Sequence, residues 1–111
     1  MTRSISWVKQ ARKAYLTFPL PVIDDIDASL FAAARGERTG SVKQMKHLEP
    51  GVFEIAIRYR KDAYRAVYCT EIGNEIWVIH AFQKKSKTGI KTPKPDMDVI
   101  RSRLKRLKEA L

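Results

Sequence analysis

The sequence predicts an α+β domain: a short strand, two helices, an antiparallel meander of strands and a last helix. Three observations carry it. Apolar residues keep helical spacing up to about residue 35, switch to a period of two between about residues 42 and 82, and return to helical spacing after about residue 96. The tight-turn pairs Pro50-Gly51, Lys61-Asp62 and Gly73-Asn74 cut the middle stretch into strands joined by short loops. With 111 residues, 44% of them hydrophobic, the chain builds one core, so a single domain over residues 1–111 is expected.

Ile5, Trp7 and Val8 suggest the first strand. Lys9 to Thr17 forms a helix with Ala11, Ala14 and Tyr15 on one side. Pro19 and Pro21 mark a break, because the residue before a proline avoids the helical basin. Pro21 then suits the first turn of a second helix, whose Asp24, Asp25 and Asp27 lie near its positive end. Val22, Ile26, Leu30, Ala33 and Ala34 are its apolar face, and Gly36 its stop.

After a polar loop, Val42 to Leu48 reads as a short edge strand. Val52–Tyr59 alternates, with Phe53, Ile55, Ile57 and Tyr59 on one face and Glu54, Ala56 and Arg58 on the other. Tyr64, Ala66 and Tyr68 alternate with Arg65, Val67 and Cys69 in the next strand. Glu75–Phe82 is apolar on both faces, as suits a strand buried inside a sheet. Asp96 and Asp98 open the final helix, with Met97, Ile100, Leu104, Leu107 and Leu111 as its stripe.

Charge narrows the function. Lys and Arg number 22 against 12 Asp and Glu, a net +10 that points to a polyanionic partner: nucleic acid, an acidic membrane face or an acidic protein. The excess is concentrated after Phe82, which suits a binding face better than general solubility. The single cysteine, Cys69, excludes an internal disulfide, and with only His47 and His80 beside it a structural zinc site is not expected. No stretch approaches the roughly 18 apolar residues of a membrane span, and no secretion signal opens the chain, so a cytoplasmic protein without membrane contact is expected.

No familiar nucleophile arrangement, phosphate-cradling glycine loop or metal-ligand spacing is present, so neither cofactor nor metal is expected. The chemistry falls to cations. Arg58, Arg60, Lys61 and Arg65 flank one short turn. Lys84 and Lys85 follow Phe82 and lead into a basic loop with Lys87 and Lys91. Arginine offers a donor fork matched to phosphate and lysine a mobile point charge. Tyr59, Tyr64, Tyr68 and Phe82 on the same strands suit base stacking, as at a single-stranded RNA site. Tyr64 and Tyr68 also suit the core, as do Trp77 and Cys69. His80 reads as a hydrogen-bonded core histidine, His47 as a surface residue, and Glu54 as an ion-pair partner of Arg58 or Arg65.

Three stretches carry a family resemblance: Phe53-Glu54-Ile55-Ala56-Ile57-Arg58, Tyr64-Arg65-Ala66-Val67-Tyr68, and the run from His80 through Lys84-Lys85-Ser86-Lys87 to Lys91-Thr92-Pro93. In order and spacing the chain resembles the RelE/ParE superfamily of bacterial toxins, and more closely its phage-derived HigB-like branch, from about residue 4 to the C-terminus. The resemblance implies a compact α+β fold with N-terminal helices packed on a mainly antiparallel sheet of about four to five strands and a C-terminal helix. It implies the toxin of a type II toxin–antitoxin pair, in a hetero-oligomer with an antitoxin that in this branch is often a helix-turn-helix DNA-binding protein.

RelE-like members cut mRNA in the ribosomal A site, a metal-independent endoribonuclease activity. ParE-like members poison DNA gyrase, and a non-catalytic basic nucleic-acid-binding module is the third reading. Carried over by position, Arg65 matches the arginine that contacts the scissile phosphate. Lys84 and Lys85 match the basic residue just after the last strand, and Arg58 falls in the basic region of the strand preceding that of Arg65. Arg60, Lys61, Lys87, Lys91 and Tyr64 are the expected RNA-binding residues. RelE itself has a C-terminal tyrosine that assists proton removal, and no tyrosine follows Tyr68 here. The proton acceptor is therefore open between a lysine made partly neutral, His80 and ribosomal RNA.

Overall fold

The computed structural model describes residues 2–84 and 91–111. The elements run β1 (Ile5–Trp7), α1 (Lys9–Tyr15), α2 (Leu20–Ala34), β2 (Val42–Gln44), β3 (Val52–Tyr59), β4 (Asp62–Cys69), β5 (Ile76–Lys84) and α3 (Lys94–Ala110). Pro19 caps α2 in an extended conformation and Pro21 occupies its first turn, where a missing N–H costs nothing. The helix ends where Gly36 takes φ +83°. Its N–H and that of Glu37 bond back to the Ala33 and Ala32 carbonyls, and Ala32 accepts from Arg35 as well, so the last turn's acceptors are satisfied.

The strands form one sheet in the order β1-β5-β4-β3-β2, antiparallel except for β1, which runs parallel to β5. β3 and β4 pair along their whole length, Val52 opposite Cys69 and Tyr59 opposite Asp62. Arg60 turns this hairpin with φ 58°.

Each face of the sheet has its own core. On one, Val22, Ile26 and Leu30 of α2 pack with Ile55, Ile57, Tyr64, Tyr68 and Val78. On the other, Ile100 and Leu104 of α3 cover Val67, Cys69, Ile79 and Phe82. Burial pushes the Cys69 thiol up to about 12, so it behaves as a small apolar side chain. Among the described residues no helix is long and apolar enough to cross a membrane.

The strand boundaries differ from expectation in two places that matter. β2 stops at Gln44 rather than Leu48, because His47 takes φ 64° and turns the chain toward Gly51. β5 runs on to Lys84, which is therefore a strand residue and not part of the following loop. The third difference is a bulge. Val67 lies opposite His80 but Tyr68 lies opposite Val78, leaving Ile79 as an extra residue.

Ile76 and Val78 point toward α1 and α2, and unbroken alternation would send His80, Phe82 and Lys84 the same way. The extra residue reverses the phase. Ile79 and Phe82 join the α3 core, Ala81 the opposite core, and His80 bonds to α3.

A cationic groove as the candidate active site

The face of the sheet that α3 leaves partly uncovered is a groove of about 950 Å³. Period-two geometry puts Glu54, Ala56 and Arg58 of β3 and Ala63 and Arg65 of β4 on its floor, and the register sets Arg65 beside Ala56. β2 adds Lys43, opposite Glu54, and the chain beyond it Lys46 and His47. Lys91, Thr92, Lys94 and Arg101 close it from the side of α3. Its described lining thus holds Lys43, Lys46, Arg58, Arg65, Lys91, Lys94 and Arg101 against one carboxylate, Glu54.

Arg65 is only 6% exposed, and its guanidinium donates to Glu54 Oε1 at 3.2 Å. The second carboxylate oxygen, Oε2, accepts from Thr92 Oγ1 at 2.9 Å. Glu54 therefore ties β4 to the segment that enters α3, and it holds the arginine fork in one orientation. Lys84 lies opposite Ala63 at the groove's edge, and its Nζ donates to the Lys91 carbonyl at 2.5 Å. Loss of hydration, followed by repulsion from Arg65, pushes the Lys84 ammonium below the usual lysine range. Glu54 offsets part of this.

The expected residues divide. Arg58, Arg65 and Lys91 line the groove, and Lys84 borders it. Lys85 and Lys87 lie outside the described residues. Arg60 and Lys61 are exposed in the β3–β4 turn, away from the groove lining, with Arg60 over the Tyr59 ring. Tyr64 is corrected: it is 8% exposed, edge-on to Phe18 in the α1–α2 core, on the opposite side of the sheet from Arg65. Alternation requires this, since neighbours on one strand face opposite ways.

His80 is a buried, hydrogen-bonded histidine. Its Nε2 meets Asp96 at 2.8 Å, and Arg103 approaches Nδ1 at 3.2 Å while donating to the Ile79 carbonyl at 2.9 Å. A guanidinium only donates, so Nδ1 carries the lone pair and Nε2–H donates to Asp96. Burial lowers its pKa below the ordinary value, against the pull of Asp96. Both nitrogens of His80 are thus engaged under α3.

Sequence reasoning did not nominate Lys43, Lys46, Lys94 or Arg101. Lys43 was legible only through its pairing with Glu54, and Arg101 only through its place one turn beyond Met97.

Two helices on one side of a mostly antiparallel five-stranded sheet and one on the other is the fold of RelE. The structure of the E. coli toxin RelE, a double arginine-to-alanine mutant in the free state, matches with a TM-score of 0.64 and 18% sequence identity. The match covers 96% of this chain and 98% of that one. Residues 13–105 match the phage-derived Gp49-like family (DUF891), and the chain belongs to that family. No curated protein matches it.

Proposed function

We propose that this protein is the toxin of a type II toxin–antitoxin pair, a cytoplasmic, metal-independent endoribonuclease that cleaves mRNA in the ribosomal A site. The observation that carries this reading is the pairing of a buried arginine with the one carboxylate in a groove whose other described charges are cationic.

The groove cations Arg58, Lys43 and Lys91 hold the RNA backbone and align a ribose 2′-OH with the phosphorus beside it. Glu54 accepts the 2′-OH proton as the 2′-oxygen bonds to phosphorus. Arg65 stabilises the charge that builds on the equatorial oxygens. The bond from phosphorus to the 5′-oxygen breaks, and that oxygen takes a proton from Lys84, whose lowered pKa makes it a better acid than an ordinary lysine. The products are a 2′,3′-cyclic phosphate and a free 5′-OH. Lys85 is a further candidate for this last role, and Lys87 for RNA binding.

Primer extension on a defined mRNA in a purified translation system, with and without ribosomes, tests the reading. Cuts at fixed positions of the A-site codon are expected only with ribosomes and not with Arg65→Ala. Intact mRNA, with DNA breaks in cells expressing the chain, would replace it with gyrase poisoning. Salt-sensitive RNA binding without cleavage or growth arrest would replace it with a non-catalytic module.

A further inference from the structure

Thr92 does more than line the groove. Its hydroxyl donates to Glu54 Oε2 at 2.9 Å, while the Arg65 guanidinium donates to Oε1 at 3.2 Å. The two donors reach the carboxylate from different places, β4 and the segment that enters α3. The terminal torsion of a glutamate is broad, so a carboxylate gripped at one oxygen still swings about its last bond. A second donor on the other oxygen fixes the plane. Each carboxylate oxygen carries two lone pairs, so these two donors do not exhaust what the group can accept.

The hydroxyl is itself rigidly placed. Thr92 precedes Pro93, which confines its backbone to the extended region, and its branched β-carbon stiffens χ1. Pro93 takes φ −60° and ψ 149° as the N-cap of α3, and its carbonyl accepts from the Met97 N–H in the first turn. Thr92 is thereby fastened to the helix that Ile100 and Leu104 anchor in the core. One residue earlier, the Lys91 carbonyl accepts from Lys84 Nζ at 2.5 Å. Residues 91 and 92 thus hold both groups that move a proton in the reading above: the acid by a backbone carbonyl, the base by a side chain.

We infer that Thr92 is a positioning residue for Glu54: its hydroxyl holds the carboxylate in the plane from which it takes the 2′-OH proton. This deepens the nuclease reading and rests on it. Thr92 acts through Glu54 and not on the RNA.

The test is single-turnover cleavage of mRNA on programmed ribosomes by the full chain, read as a maximal rate and a half-saturating concentration. Thr92→Val keeps a similar shape and removes the donor. It is expected to lower the maximal rate about tenfold, a part of what a general base supplies, and to leave half-saturation unchanged. Thr92→Ser, which keeps the hydroxyl, should recover most of the rate. Added to Glu54→Gln, Thr92→Val should cost nothing further, because groups that act as a unit are not additive. Should Thr92→Val melt below the assay temperature, Thr92→Ser against Thr92→Ala compares presence and absence of the same hydroxyl.

A wild-type rate in Thr92→Val, a change in half-saturation alone, or an additive loss in the double variant overturns the positioning role and leaves the nuclease reading intact. Full activity in Glu54→Gln does the same, since it removes the group that Thr92 holds. A wild-type chain that cuts no mRNA on ribosomes overturns both.

Discussion

The two faces of this sheet are built from the same three long strands, yet they do opposite work. Toward α1 and α2, Ile55, Ile57, Tyr64, Ala66 and Val78 meet a closed layer of helix side chains. Toward α3, the cover is incomplete. Ile100 and Leu104 seal Val67, Ile79 and Phe82, and the β2–β3 side is left as the groove. The 17-residue α3 packs over β5 and over Val67 and Cys69 of β4, and the groove opens beyond it. The difference teaches that buried charges survive where a layer is incomplete: Arg65 and Glu54 lie at the edge of the cover, on the floor of the groove.

The comparison breaks most sharply at Arg65. Arg65→Ala is expected to lower cleavage about 10²–10³-fold, the usual loss of a transition-state donor. It should also cost about 3 kcal/mol of stability, because Glu54 is left buried without its counter-charge. Primer extension and thermal melting read the two effects separately, and Arg65→Lys should recover more of the stability than of the rate.

On the closed face, Ile26→Ala removes a fully buried side chain and should cost roughly 2–5 kcal/mol by denaturant unfolding. At temperatures where the variant stays folded its cleavage rate should match wild type. A matching loss of rate would show that the two faces are coupled.

Lys84 sharpens the chemical difference. An acid with a lowered pKa loses its proton earlier as pH rises, so wild-type activity should fall on the alkaline side below the range of an ordinary lysine. Lys84→Met should be slower at every pH and lack that alkaline limb. A limb unchanged in Lys84→Met would assign the proton to another group.

His80 tests how α3 is held. Its folded pKa lies below the ordinary 6.5, so its contribution to stability is present above that value and is lost as pH falls through the folded pKa. Protonation also turns an Nδ1–H toward the Arg103 guanidinium. Stability measured between pH 8 and 5 should therefore decline more steeply for wild type than for His80→Asn, in titrations of about one unit per step. The smallest effect is at the hairpin: Arg60→Gly relieves a left-handed non-glycine residue and should raise stability by up to about 1 kcal/mol.

The sequence by itself determined the order of elements, the stops at Pro19 and Gly36, and the opposite facing of Arg65 and its neighbour Tyr64. These are local rules of period, turn and cap, and they hold wherever the strand lies. It also determined the +10 charge. Tertiary structure alone decided which face became the site, because both faces of β4 and β5 carry apolar residues and periodicity cannot rank them. It decided the phase of β5, since the extra residue at Ile79 is a matter of hydrogen-bond register with β4 and leaves no mark in a strand apolar on both sides. It also decided the company of Glu54. Arg65 and Thr92, which bond its carboxylate, and Lys43, set opposite it by the β2–β3 register, come from three separate segments that converge only when β2 and the entry to α3 close on the same strand.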